Sequence, residues 1–293
     1  MMKHLVAVAL LGAMCAGSAG FAAPADIPAA IYSDPAPDAA NPAKMAVLHI
    51  PTHGVEINGV AYVPAGAGPH PAVILCHGLP GNEKNLDLAQ ALRRAGWTVI
   101  TFNYRGSWGS PGNFRFAQNL EDADAVLAYA RDPANAAKLR IDPSRIALAG
   151  HSMGGWVTAL TAAHDNGLIG AVMISAGNIG LVGSLPRPDA IKRMADNGAE
   201  ALAGTNPETM ADEIIANRDT FDFSKAASRL ADTRLLVLTS DDGLAYMSDA
   251  LAAGIRATHG TRLTTLHVAT DHGWSDNRIR LESEIIKWLE ILK

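Results

Sequence analysis

The chain is short of cysteine, of charge and of aromatic rings. Two cysteines, Cys15 and Cys76, occur in 293 residues, so no disulfide framework takes the place of a hydrophobic core. Loss of an N-terminal leader would remove Cys15, and Cys76 in "PAVILCHG" then reads as a small core residue rather than a nucleophile. Charged residues make up 18% and the formal net charge is −5. That balance offers no basic face to nucleic acid, and no block of like charges marks an interaction tail. The ten histidines lack zinc-type spacing, so neither a metal nor a cofactor is expected. The expected partner is a small molecule or a short peptide.

What the chain does have is apolar residues, 48% of the total, enough to bury one large core. The start, "MMKHLVAVALLGAMCAGSAGFAAPAD", runs from Lys3 through an apolar stretch to small residues, the layout of a secretory signal. Residues 1–25 are therefore expected to direct export to the periplasm or beyond, with cleavage after Ala22 or Ala25 fitting equally well. The run is too short and too broken by Gly and Ala to span a bilayer in the mature protein, so no stable membrane insertion is expected after cleavage. Met14 before Cys15 departs from a lipoprotein signal. Residues 26–44, rich in Pro and Ala, suit an extended segment, and residues 45–293 a folded domain.

Within that domain strands and helices alternate. "AVLHIPTHGVEINGVAYVPAG" suggests two antiparallel strands turning near His53 and Gly54, and "PAVILCHG", "TVITFNY", "SRIALAG", "GAVMISA", "RLLVLTS" and "TRLTTLHV" read as further strands separated by helices. Apolar strands joined by helices predict an α/β fold, a mostly parallel sheet covered on both faces, with ligands bound beyond the strand carboxyl ends.

One stretch breaks this pattern. "IALAGHSMGGW" ends an apolar strand in Gly150, His151, Ser152, Met153 and Gly154, a G-x-S-x-G placed between strand and helix. Such a turn lifts the serine above the sheet edge and aims the following helix's positive end at it. A helix-capping role would account for Ser152 alone, but not for glycines on both sides. A serine nucleophile needs a histidine base and a carboxylate to orient it. Of the downstream histidines, His164 falls in a helix, His259 follows one and His267 sits in a strand, whereas His272 stands in the loop "ATDHGWSDNR" after the last strand. "RLLVLTSDDG" offers Asp241 and Asp242; position past the strand end favours Asp242, with Asp241 as the alternative. Asp271, adjacent to His272, points away along an extended chain. Oxyanion donors are expected in the backbone amides of Met153 and of Leu79 in "CHGLPGNEKN".

Taken in order, "HGLPGNEKN", "GHSMGG", "SDDG" and "DHGW" resemble the α/β-hydrolase superfamily over residues 47–293. Within it the chain is similar to single-domain relatives of the prolyl-oligopeptidase and acylaminoacyl-peptidase group, without their N-terminal propeller. The resemblance implies Ser152 as nucleophile, Asp242 as acid, His272 as base and the Leu79 and Met153 amides as the oxyanion hole. It also implies a small helical cap, about residues 178–233, in which Met194, Met210 and Phe221 either line the pocket or fasten the cap to the sheet. Tyr104, Trp108 and His151 are candidate substrate contacts, and Arg105 either joins them or braces the loops. Three functions fit: a carboxylesterase working through an acyl-enzyme, a serine exopeptidase or amidase, and a catalytically silent hydrolase-fold binding protein.

Overall fold

A computed structural model of the chain describes residues 27–293; the signal expected at residues 1–25 lies outside them. Eight strands form one sheet: β1 (Lys44–Thr52), β2 (Val55–Val63), β3 (His70–Cys76), β4 (Thr98–Phe102), β5 (Ile141–His151), β6 (Leu168–Ile174), β7 (Leu235–Ser240) and β8 (Leu263–Val268). They are ordered β1-β2-β4-β3-β5-β6-β7-β8. β1 and β2 are antiparallel, turning at His53 and Gly54, and β2 meets β4 antiparallel. From β4 to β8 every pairing is parallel.

Each central strand is apolar on both faces, because each face carries a layer of helices. Ala72, Ile74 and Cys76 of β3, with Ile146 and Leu148 of β5, face a core shared with the helices Phe116–Arg131 and Met153–Ala162. The alternate residues Val73, Leu75, Ala147 and Ala149 face the helices Leu86–Arg94 and Arg278–Glu290. Strand periodicity of two thus builds both cores at once.

Four short helical turns leave no mark in the sequence periodicity. Ala29–Tyr32 lies inside the segment expected to be extended, Pro133–Leu139 is started by Asp132, whose carboxylate accepts the amides of Ala134 and Asn135, and Ile179–Val182 and Phe223–Ala226 lie in the cap. The cap also carries two longer helices, Arg187–Asn197 and Pro207–Ala216, the second opened by a reciprocal Asn206–Thr209 capping box. It is bolted down by Trp156, whose indole donates to the Phe221 carbonyl (2.6 Å) while the two rings meet at 5.1 Å. Met210 and Phe221 are buried and serve as this fastening; Met194 alone of the three reaches the pocket described below.

Arg105 takes the bracing role. Its Nε donates to Asp122 Oδ1 (2.6 Å) and its backbone amide to Asp122 Oδ2 (2.8 Å), with both residues buried. Burial pushes the Asp122 carboxyl upward despite the neighbouring guanidinium. Arg105→Ala would strand this carboxylate in the interior, and we expect a loss of about 3–5 kcal/mol in urea unfolding.

A second buried carboxyl carries a pH signature. Burial, and next the charge of Asp87, raise Glu282 from its ordinary 4.5 to about 7, with Arg278 and Arg94 only partly opposing. Between these values the folded chain holds a proton that the unfolded chain releases, so this group's contribution to stability falls as pH rises from 4.5 to 7. Glu282→Gln should remove that slope. Unfolding at pH 5 and pH 8 should show the variant gaining on the parent at the higher pH, and an equal offset at both would refute the assignment.

Candidate active site

At the carboxyl end of β5 the backbone turns directly into the helix Met153–Ala162, and Ser152 is the residue at the corner. Its φ of 58° and ψ of −121° lie where L-residues are strained. Four contacts hold it there: its amide donates to Ile174 O (2.9 Å), and its carbonyl accepts from Gly155 N (3.0 Å), Trp156 N (3.3 Å) and Gly177 N (3.2 Å). The glycines are required by space. A Cβ on Gly150 would lie 2.1 Å from Gly154 O, and one on Gly154 would lie 2.0 Å from Cys76 O. The Ser152 side chain makes no hydrogen bond to the first turn, so it does not cap the helix.

His272 comes from the loop after β8. Its Nδ1 donates to Asp242 Oδ2 (2.6 Å), and Asp242, its side chain 2% exposed, also accepts the Leu244 amide (2.8 Å). Burial alone would raise the Asp242 carboxyl, but the bonds from His272 and Leu244 outweigh it and hold the group below its ordinary value. The neighbouring Asp241 is used elsewhere, paired with His267 Nε2 (2.9 Å), whose Nδ1 meets Thr239 Oγ1 (3.0 Å). Asp271 accepts the Ser275 amide and shapes the loop. The loop is tied to two strand ends by Trp274, whose indole donates to Ser175 Oγ (3.0 Å), itself 2.7 Å from Ser240 Oγ.

Ser152, Asp242 and His272 line one pocket of about 240 Å³, together with Leu79 and Met153. The Met153 amide opens the helix and has no intrahelical carbonyl. The Leu79 amide has no acceptor among the described residues. Gly78 brings that second strand of backbone close: a Cβ there would stand 3.0 Å from Ser152 Cβ and 3.6 Å from its Oγ. Both amides therefore border the serine with their donors unspent.

Three expected substrate contacts prove to be supports. Tyr104 is fully buried, its hydroxyl donating to His77 O (3.3 Å) and its ring 4.6 Å from that of His77. His77 Nδ1 in turn bonds Gly78 O (2.8 Å), bracing the loop that presents Leu79; burial depresses this imidazole to about 4, so it stays neutral. Trp108 is 39% exposed but outside the pocket, its indole donating to Pro80 O (2.7 Å) beneath the Lys84 ammonium. His151 is buried against His272, with ring centroids 4.6 Å apart and its Nε2 donating to the His272 carbonyl (2.7 Å). Burial first, and then the nearby His272, lower His151 to about 4. The sequence places these three near the site but does not say that their side chains turn away from the pocket.

What the sequence reading overlooks is the far wall: Asn178, Ile179, Val182, Leu244 and Met247, and the cap residues Arg193, Asp196 and Asn197. The only available hint is that 193, 196 and 197 share a helix face. His151→Phe keeps a ring but leaves the His272 carbonyl unpaired. We expect about 1–3 kcal/mol of destabilisation in denaturant titrations, and His151→Gln should recover part of it.

Comparison with known proteins is consistent with this geometry. The "Uncharacterized 31.7 kDa protein in traX-finO intergenic region" of Escherichia coli is 39% identical over 108 residues, 35% of this chain and 36% of that one. The chain spans about a third to two-fifths of the length of the curated relatives it matches. Among solved structures, the thermostable carboxylesterase EstE1 from a metagenomic library superposes with a TM-score of 0.63 at 23% identity, covering 84% of this chain and 90% of its own. The acylaminoacyl peptidase of Pyrococcus horikoshii gives 0.63 at 15% identity, covering 85% of this chain and 41% of its own. At these identities the likeness is one of fold. Residues 73–284, most of the chain, match the profile described as "Alpha/beta hydrolase family", and with the sheet order and the strained elbow already in view, the chain belongs to the α/β-hydrolase family.

Proposed function

We propose that this protein is a serine hydrolase that cleaves carboxylic esters through an acyl-enzyme on Ser152. The observation that carries the reading is the His272–Asp242 bond of 2.6 Å inside the pocket that holds Ser152 and two unspent backbone amides.

In this reading His272 takes the Ser152 hydroxyl proton as Oγ attacks the ester carbonyl. Asp242 keeps the ring oriented with Nδ1 protonated and steadies the imidazolium that forms. The Leu79 and Met153 amides receive the negative charge on the carbonyl oxygen, each such donor contributing about 2.7–4 kcal/mol to the barrier reduction. The alcohol leaves with the proton from His272. Water, deprotonated by the same imidazole, then releases the carboxylic acid and restores Ser152. Esters are preferred over amides because an alkoxide leaves more readily than an unprotonated amide nitrogen, which must be protonated by His272 before it departs. Export through residues 1–25 belongs to the same proposal and rests on the sequence pattern alone.

A fluorophosphonate probe should label the parent and not Ser152→Ala, and turnover of p-nitrophenyl esters should fall by about 10⁴-fold or more in that variant. Asp242→Asn should lose about 10⁴-fold, while Asp241→Asn keeps the parent's rate. Labelling that persists in Ser152→Ala would sink the proposal, and aminoacyl anilide turnover exceeding ester turnover would replace the esterase with a peptidase.

A further inference from the structure

The cap contributes charge to a pocket whose walls mix apolar side chains with polar ones. Leu79, Met153, Ile179, Val182, Met194 and Met247 surround the space beside Ser152. Into it the helix Arg187–Asn197 brings Arg193, Asp196 and Asn197 from one face. The charges in this lining are not equivalent. Asp242 is held by His272 and by the Leu244 amide. Asp196 accepts from Lys192 Nζ at 2.7 Å. The Asn197 amide nitrogen is turned back onto the Arg193 carbonyl at 2.7 Å. The Arg193 guanidinium alone makes no ion pair or side-chain hydrogen bond among the described residues, whereas Arg187, six positions earlier on the same helix, is held by Asp212 through two bonds of 2.7 and 3.0 Å.

An unengaged guanidinium presents a planar fork of donors matched to a carboxylate. Because Arg193 is exposed, its charge carries no burial penalty and is available to a ligand. The two carboxylates of the same lining, Asp196 and Asp242, disfavour a doubly charged group such as a phosphate through like-charge repulsion. A singly charged carboxylate suits the site better. Arg193 and Ser152 line one pocket of about 240 Å³, so the carboxylate and the scissile bond belong to one compact group.

We infer that Arg193 is a recognition residue for a substrate carboxylate, and that the preferred substrates are small esters carrying a free carboxylate a few carbons from the scissile bond. The inference rests on Ser152 being the nucleophile, and the assignment of Arg193 has its own readout.

Two p-nitrophenyl esters of equal chain length, the mono-ester of glutaric acid and the ester of valeric acid, differ only in the terminal carboxylate. The parent should show a kcat/KM about tenfold higher for the glutarate ester, the gain expected from one partly solvated charge-assisted pair. Arg193→Gln should lose this preference, the ratio of kcat/KM on the glutarate ester to that on the valerate ester falling about tenfold. Arg193→Glu should fall further on the glutarate ester alone. Equal kcat/KM for the two esters in the parent, or equal losses on both in Arg193→Gln, would overturn the inference. If the parent turns over neither ester, the serine-hydrolase reading fails instead. Calorimetric binding of monomethyl glutarate to the parent and to Arg193→Gln then decides the Arg193 assignment: weakening by about tenfold in the variant supports it, and equal affinity refutes it.

Discussion

The close approach of three backbones at the end of β5 is the constraint on which the site depends. Gly154 lies against the Cys76 carbonyl and Gly150 against the Gly154 carbonyl, at separations that leave no space for a side chain on either glycine. This contact joins the end of β3 to the start of the helix Met153–Ala162 and holds Ser152 in its strained conformation. It also sets Gly78 and Leu79, which follow β3, beside the serine. One packing event therefore positions the hydroxyl, the helix amide and the loop amide together. A parallel sheet makes this possible because its strands all end at the same edge, so loops far apart in sequence converge there.

The supports behind that edge are polar groups used for fastening. Tyr104 and His77 brace the Leu79 loop, Trp108 ties down Pro80, and His151 holds the His272 backbone. Trp274, Ser175 and Ser240 link the His272 loop to the ends of β6 and β7. These groups bear on the geometry of the pocket without touching its interior, and the buried histidines stay neutral because burial disfavours their charged form. A neutral His151 adds no positive charge beside His272.

The cap is built on a different principle. It is held by aromatic packing of Phe221 on Trp156, by the buried Met210 and by backbone bonds such as Ala203 N to Gly106 O (2.7 Å) and Phe114 N to Ala203 O (2.9 Å), while its pocket-facing helix carries charge. The sheet edge supplies the groups proposed for chemistry, and the cap supplies Arg193, the group proposed to choose the substrate. Loops and insertions vary more readily than the strands beneath them, which suits a cap to that role.

The sequence by itself determined the sheet, the elbow, and the separate roles open to each downstream histidine, because strand periodicity, glycine crowding and position after a strand are local properties of the chain. His272 stood out by its place after the last strand, and Asp242 by its distance from the end of "RLLVLTS". Tertiary structure alone decided between Asp241 and Asp242, by giving the first to His267 and the second to His272. It alone turned Tyr104, Trp108 and His151 into supports and brought Arg193 into the pocket. Such choices depend on which way a side chain points once distant segments meet, and no spacing along the chain encodes that direction.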